Sequence, residues 1–186
     1  MPKVVILSGS PNPVSRLNGM TDYAEEKLRA LGWEVKSLHA ASLPAEDLVL
    51  ARWDSPAIKE ANQLIEGADA VIVASPVYKA SFTGVLKTYL DLLPQTGLEG
   101  KVVLPLFIGG TIAHLLTIDY ALKPVLSALY ARHVSAGVYA VDAQIQKTPE
   151  GGLQLEEELV RRLDAAIASF AEATTLFSSL RSTTNS

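Results

Sequence analysis

The sequence predicts an α/β fold: a doubly wound, five-stranded parallel sheet with helices on both faces. Three observations predict it. Val4–Leu7, Ala70–Ala74 and Val102–Ile108 are short, continuous apolar runs that read as strands buried on both faces. Amphipathic stretches of helical period separate the runs. Loops rich in Ser, Gly, Pro and Thr follow them. Alternation of buried strands with helices implies a parallel sheet covered on both sides.

Each element has its own reason. Val4–Leu7 is apolar and largely β-branched, which suits a first strand. Ser8 to Ser15 reads as a loop. Leu17, Met20, Ala24, Leu28 and Leu31 then share one helical face, and Gly32 stops the helix. A short strand is expected at Val35–Leu38, followed by an irregular stretch from Ala40 to Asp54. Ser55-Pro56 places an N-cap before a proline at the first helical position, and that helix runs to Glu66. Ala70–Ala74 is the third strand and a helix from Thr83 to Leu93 follows its loop.

Val102–Ile108 is the fourth strand. Pro105 within it requires an edge position or a bulge. A long helix is expected after Gly109-Gly110-Thr111, ending near Ala131, and Val134–Val141 is the fifth strand. Asp142 to Gly152 is polar and is expected to be a mobile loop. Leu155, Leu159, Leu163, Ile167 and Phe170 mark a last helix. Residues 1–180 read as one domain and 181–186 as a disordered polar tail. Five strands favour the flavodoxin-like order 2-1-3-4-5 over the larger six-stranded dinucleotide fold.

Composition narrows the function. The net charge of −4 gives no basic footprint for nucleic acid or anionic membrane surfaces. No apolar run approaches a membrane span, and the apolar start is too short for a signal peptide, so a cytoplasmic protein is expected. With no cysteine there is no disulfide, thiol nucleophile or thiolate metal site. His39, His114 and His133 lack metal-ligand spacing. Sulfur is confined to Met1 and Met20. Two readings of that stay open: drift of the core towards Leu, Ile and Val, or synthesis when sulfur is scarce.

In an open sheet of this order, ligands bind beyond the carboxyl ends of the strands, at the switch point between strands 1 and 3. Three loops surround that point. The first, Ser8-Gly9-Ser10-Pro11-Asn12-Pro13-Val14-Ser15-Arg16, enters a helix N-terminus, where free N–H groups favour an anion. It matches neither GxxxxGK[ST] nor GxGxxG, so a monophosphate such as that of FMN fits better than a triphosphate or dinucleotide. Ser10, Ser15, Arg16 and Leu17 are its candidate binding residues; a plain turn is the alternative. The second loop offers Pro76, Val77, Tyr78, Lys79 and Ser81. Its backbone suits a flat, polar-edged ring, and Lys79 suits the anionic form of a reduced flavin; core anchoring by Tyr78 and Phe82 is the alternative. The third offers Gly109, Gly110, Thr111 and His114, with glycines that permit close approach of a ligand. In the helix beyond, Pro124 lacks an N–H, so the Tyr120 carbonyl loses its helical partner. A local π-bulge at Tyr120 absorbs that loss, and a simple proline kink is the alternative.

Taken together, these loops resemble the NADPH-dependent FMN reductase family, over about Lys3 to Val141. Leu50–Pro56, Ser75–Ala80 and Asp119–Leu129 resemble its branch from bacterial two-component alkanesulfonate monooxygenase systems. The resemblance implies FMN as a substrate and NADPH as its reductant. It implies a separate flavin-dependent monooxygenase that uses the reduced FMN to release sulfite from organosulfonates during sulfur limitation. It also implies a homodimer or homotetramer, and a π-bulge near the flavin and the subunit interface, which makes Tyr120 a candidate flavin-release gate. Many relatives have an arginine where this chain has Asn12, so the phosphate charge moves to Arg16. The cofactors carry hydride transfer, so no acid–base side chain is obligatory. The alternatives are a quinone or azo-dye reductase with bound FMN, a non-enzymatic FMN electron carrier, and a scaffold that has lost its ligand.

Overall fold

A computed structural model describes residues 1–184 of the protein. Its strands are β1 (Lys3–Ser8), β2 (Glu34–His39), β3 (Ala70–Tyr78), β4 (Ser81–Phe82), β5 (Val102–Gly109), β6 (His133–Val134) and β7 (Val138–Val141). The main sheet runs β2-β1-β3-β5-β6, with β7 also pairing β5. The parallel flavodoxin-like order is therefore the expected one, with β5 as the fourth core strand and β6 and β7 together as the fifth. The addition is β4, which folds back antiparallel on the end of β3.

The helices are α1 (Leu17–Ala30), α2 (Ala45–Val49), α3 (Pro56–Glu66), α4 (Gly84–Leu90), α5 (Lys123–Ala128) and α6 (Glu157–Thr184). Alternation along the strands divides the core in two. Val4, Ile6, Ile72 and Leu104 pack with Leu17, Met20 and Leu28 of α1 and Leu159, Leu163 and Phe170 of α6. Val5, Leu7, Val71 and Val73 pack on the other face with Ile58 of α3, Leu86 of α4 and Leu126 of α5. Each fully buried Leu or Ile contributes about 1.5–3 kcal/mol relative to exposure. No helix among the described residues is long and apolar enough to cross a membrane.

The structure corrects several expectations. The fifth strand is broken between Val134 and Val138. Its cause is Pro105. Val103 accepts from the Ser135 N–H at 2.8 Å, so Pro105, two residues on, turns its missing N–H towards the same neighbour. The ladder resumes at Leu106 with Val138. The long helix expected up to Ala131 is also broken: a 3₁₀ turn at Ile112–His114 precedes a π-helical turn at Ile118–Leu122, and α5 then ends at Ala128. The π turn lies where Pro124 removes a donor. The helix expected over Thr83–Leu93 spans only Gly84–Leu90, with the Thr83 hydroxyl accepting from Leu86 N–H as its cap.

Asp142 to Gly152 is not an unstructured loop. A 3₁₀ turn leads into a hairpin of β8 (Ile145–Lys147) and β9 (Leu153–Leu155). Ile145 is fully buried. Gly19 of α1 gives the hairpin room, since a Cβ there would meet Ile145 Cγ2 at 3.1 Å and Leu155 Cδ1 at 3.2 Å. Leu155 thus belongs to β9, and the last helix starts at Glu157. The expected disordered tail, 181–186, overlaps the end of α6 at Thr184, and residues 185–186 lie outside the described residues.

Candidate functional site

Residues from the carboxyl ends of β1, β3, β5 and β7 meet in a cleft of about 290 Å³. Loop 1 contributes Ser10, Asn12, Val14, Ser15 and Arg16; β3 contributes Pro76, Val77 and Tyr78; β5 contributes Ile108, Gly109 and Gly110. Asp142 and Lys147 complete it. Larger hollows exist, one of about 530 Å³ between α1 and the β8–β9 turn and one of about 390 Å³ at the opposite end of the sheet. Neither gathers the three loops. The first adjoins the cleft, with which it shares Val14, Ser15 and Lys147.

Loop 1 is held by its own polar groups. Ser10 Oγ donates to the Asn12 carbonyl at 2.7 Å and accepts from the Asn12 N–H at 3.3 Å. Asn12 Oδ1 accepts from Val14 N–H at 2.9 Å, and Ser15 Oγ accepts from Leu17 N–H at 3.2 Å. None of the loop's hydrogen bonds uses the N–H of Ser15 or Arg16, at the amino end of α1. Arg16 Nε donates to the Ile145 carbonyl at 3.0 Å, which ties the loop to β8. The guanidinium forms no ion pair among the described residues. A helix N-terminus with open N–H groups and a cation suits one phosphate group.

The second loop is strained. Lys79 and Ala80 both have positive φ, 50° and 60°, in the tight turn between β3 and β4. Non-glycine residues there cost about 1–2 kcal/mol each. Thr117, just before the π turn, steadies it by donating to the Ala80 carbonyl at 3.4 Å. Ser75 Oγ accepts from Thr83 N–H at 3.1 Å, and Thr83 Oγ1 donates to the Gly9 carbonyl at 2.6 Å. Loops 1 and 2 are thereby locked together.

The third loop departs from expectation at Gly109. The room beside this glycine is taken by the protein, because a Cβ would collide with the Tyr139 hydroxyl. That hydroxyl reaches past Gly109 to donate to the Thr111 carbonyl at 2.7 Å. Burial pushes the Tyr139 pKa up, and the nearby Asp142 charge adds to the rise. Gly110 is exposed and lines the cleft.

Of the residues expected at the site, Ser10, Ser15, Arg16, Pro76, Val77, Tyr78, Gly109 and Gly110 come together. Leu17 does not: its side chain is fully buried in the core and its N–H is taken by Ser15. Lys79 stands exposed at the hairpin tip and Ser81 lies in β4, both outside the cleft lining. Thr111 and His114 lie on the exposed 3₁₀ segment beyond it. Tyr120 lies in the π turn with 79 % of its surface exposed. Asn12, Val14, Ile108, Asp142 and Lys147 line the cleft without having been expected there. Asp142 follows a strand's carboxyl end, which was the one available signal.

The whole arrangement fits FMN: loop 1 would take the phosphate, and the backbone at Pro76–Tyr78 and Gly109–Gly110 would face the ring. The chain also resembles known proteins. Residues 2–146 match the family model described as NADPH-dependent FMN reductase. The chain is 49 % identical to the FMN reductase (NADPH) of Escherichia coli (strain K12), over 92 % of this chain and 89 % of that protein. It is 46 % identical to the FMN reductase (NADPH) of Pseudomonas putida KT2440, over 90 % and 85 % of the two chains. Among solved structures, the apo form of the NADH:FMN oxidoreductase EMOB superposes with a TM-score of 0.83 at 35 % identity, covering 93 % of this chain and 90 % of that one.

Proposed function

The chain belongs to the NADPH-dependent FMN reductase family, and on that premise we propose that it takes FMN from solution, reduces it with NADPH and releases the reduced flavin to a separate flavin-dependent monooxygenase. The observation that carries this reading is the cleft where loop 1, Pro76–Tyr78 and Gly109–Gly110 converge. Its volume, about 290 Å³, lies just below the usual range of about 300–1,000 Å³ for ligand sites. Hydride passes directly from one nucleotide to the other. This chain's part is to anchor the phosphate at Arg16 and the end of α1, to present backbone to the ring, and to leave the other ring face open.

Desulfonation of alkanesulfonates under sulfur limitation is the role we propose for the partner, on the strength of the Leu50–Pro56 and Asp119–Leu129 motifs. Cytoplasmic action follows from the same reading. Exposed Ile112, Leu115, Leu116 and Tyr120 support self-association as a homodimer or homotetramer. In this reading Tyr120, on its π turn, gates flavin release.

One experiment tests the reading: NADPH oxidation by purified protein with excess free FMN, for wild type and Tyr120→Ala. The wild type should purify with little flavin and turn over rapidly only when FMN is added. Tyr120→Ala should retain FMN and lose most of that turnover. Tight flavin without NADPH oxidation in the wild type would replace the proposal with an electron carrier, and preference for quinones would replace it with a quinone reductase. Unchanged retention and turnover in Tyr120→Ala would remove the gate.

A further inference from the structure

Asp142 is the single acidic residue lining the cleft, opposite two cations, Arg16 and Lys147. Its place is rigidly set. Val141 N–H donates to Gln144 Oε1 at 3.1 Å, and Gln144 Nε2 donates to Glu158 at 2.9 Å. Arg162 donates to the Tyr139 carbonyl at 2.8 Å and to Gln144 Oε1 at 3.2 Å. These bonds fix the turn that carries Asp142 across the end of β7. Its carboxylate overhangs the exposed Gly110 backbone, with Oδ2 4.0 Å from where a Cβ on Gly110 would stand. The carboxylate itself forms no ion pair among the described residues, although Arg16 and Lys147 line the same cleft.

A fixed, unpaired carboxylate opposes tight binding of a phosphorylated ligand, so its presence calls for a reason. Reduction provides one. A hydride brings two electrons and one proton from NADPH, leaving NADP⁺ and adding one negative charge to the flavin ring. Lys79, the cation the sequence offered for that charge, stands outside the cleft at the hairpin tip, whereas Asp142 stands inside it. Arg16 and Lys147 work the other way in the same cleft, but Asp142 lies over the Gly110 backbone assigned to the ring, so its own contribution penalises the reduced ring more than the oxidised one.

We propose that Asp142 is a specificity-determining residue that makes the cleft bind oxidised FMN in preference to its reduced, anionic product, and so promotes product release. The proposal rests on the reading of FMN as a released substrate. Its test is a pair of dissociation constants for wild type, Asp142→Asn and Asp142→Ala. Oxidised FMN is measured by fluorescence quenching, and dithionite-reduced FMN anaerobically. Both variants should lower the ratio of reduced to oxidised Kd by about tenfold, with the effect shrinking as salt is added. An unmoved ratio, with both constants shifting together, overturns the proposal and makes Asp142 a structural or sugar-binding group. If the wild type oxidises NADPH with free FMN while the ratio stays put, only the role of Asp142 falls. If the wild type shows no such turnover, the underlying reading falls with it.

Discussion

The two ends of the sheet differ in how they treat polar groups and backbone geometry. At the amino end, two lysines are tied to their neighbours. The Lys3 N–H donates to the Asp69 carboxylate at 2.9 Å, and the Asp69 N–H donates back to the Lys3 carbonyl at 2.8 Å. The buried Lys101 ammonium donates to the carbonyls of Glu66 at 2.9 Å and Ala68 at 2.7 Å, closing the end of α3. Positive φ occurs at both ends, at Tyr130 before β6 and at Lys79 and Ala80 after β3, but the carboxyl end also holds a π turn under Tyr120 and the unpaired Asp142. The 390 Å³ hollow at the amino end is larger than the cleft at the carboxyl end. The π turn and the bare charge, rather than volume or positive φ, distinguish the carboxyl end, where ligands bind in open parallel sheets.

The sharpest way to break this comparison is at Gly109, where packing and site meet. Gly109→Ala drives a methyl into the Tyr139 hydroxyl and should cost about 3 kcal/mol, read as a fall in the denaturant midpoint. Tyr139→Phe removes the obstructing oxygen and the bond to Thr111, and alone should cost about 1 kcal/mol. The double variant should be more stable than Gly109→Ala alone. Additive losses would show that the contact is not what excludes a side chain there.

The opposite end gives the control. Lys101→Met leaves the Glu66 and Ala68 carbonyls without that donor and should cost about 2 kcal/mol of stability. FMN affinity at 25 °C should stay within about twofold of wild type, since the change lies at the far end of the sheet. A large loss of FMN affinity in this folded variant would mean that the two ends are coupled.

What could be read from the sequence followed the range of the forces involved. Val4–Leu7 and Ala70–Ala74 announce buried strands because their burial on both faces is written in consecutive residues. The π turn was legible because the lost donor, Pro124, and the stranded carbonyl of Tyr120 lie within one helical turn of each other. The β8–β9 hairpin was not. Ile145 and Leu155 are separated by a polar turn, and their burial depends on Gly19 of α1, far away in the chain. The reach of the Tyr139 hydroxyl to Thr111 was hidden for the same reason, so Gly109 looked like space for a ligand when it is space for a neighbour. Lys147 enters the cleft because that hairpin folds back over loop 1, tied by Arg16 to Ile145, and Asp142 because the turn before the hairpin carries it across the end of β7.

The central claim is that loop 1, with Arg16, receives the phosphate of FMN. It is tested most directly by titrating wild type and Arg16→Ala with FMN and with riboflavin, the same ring and side chain without the phosphate. Arg16→Ala should weaken FMN by about tenfold, the scale of one charge-assisted contact, and leave riboflavin unchanged. Equal weakening of both ligands, or of neither, would contradict it.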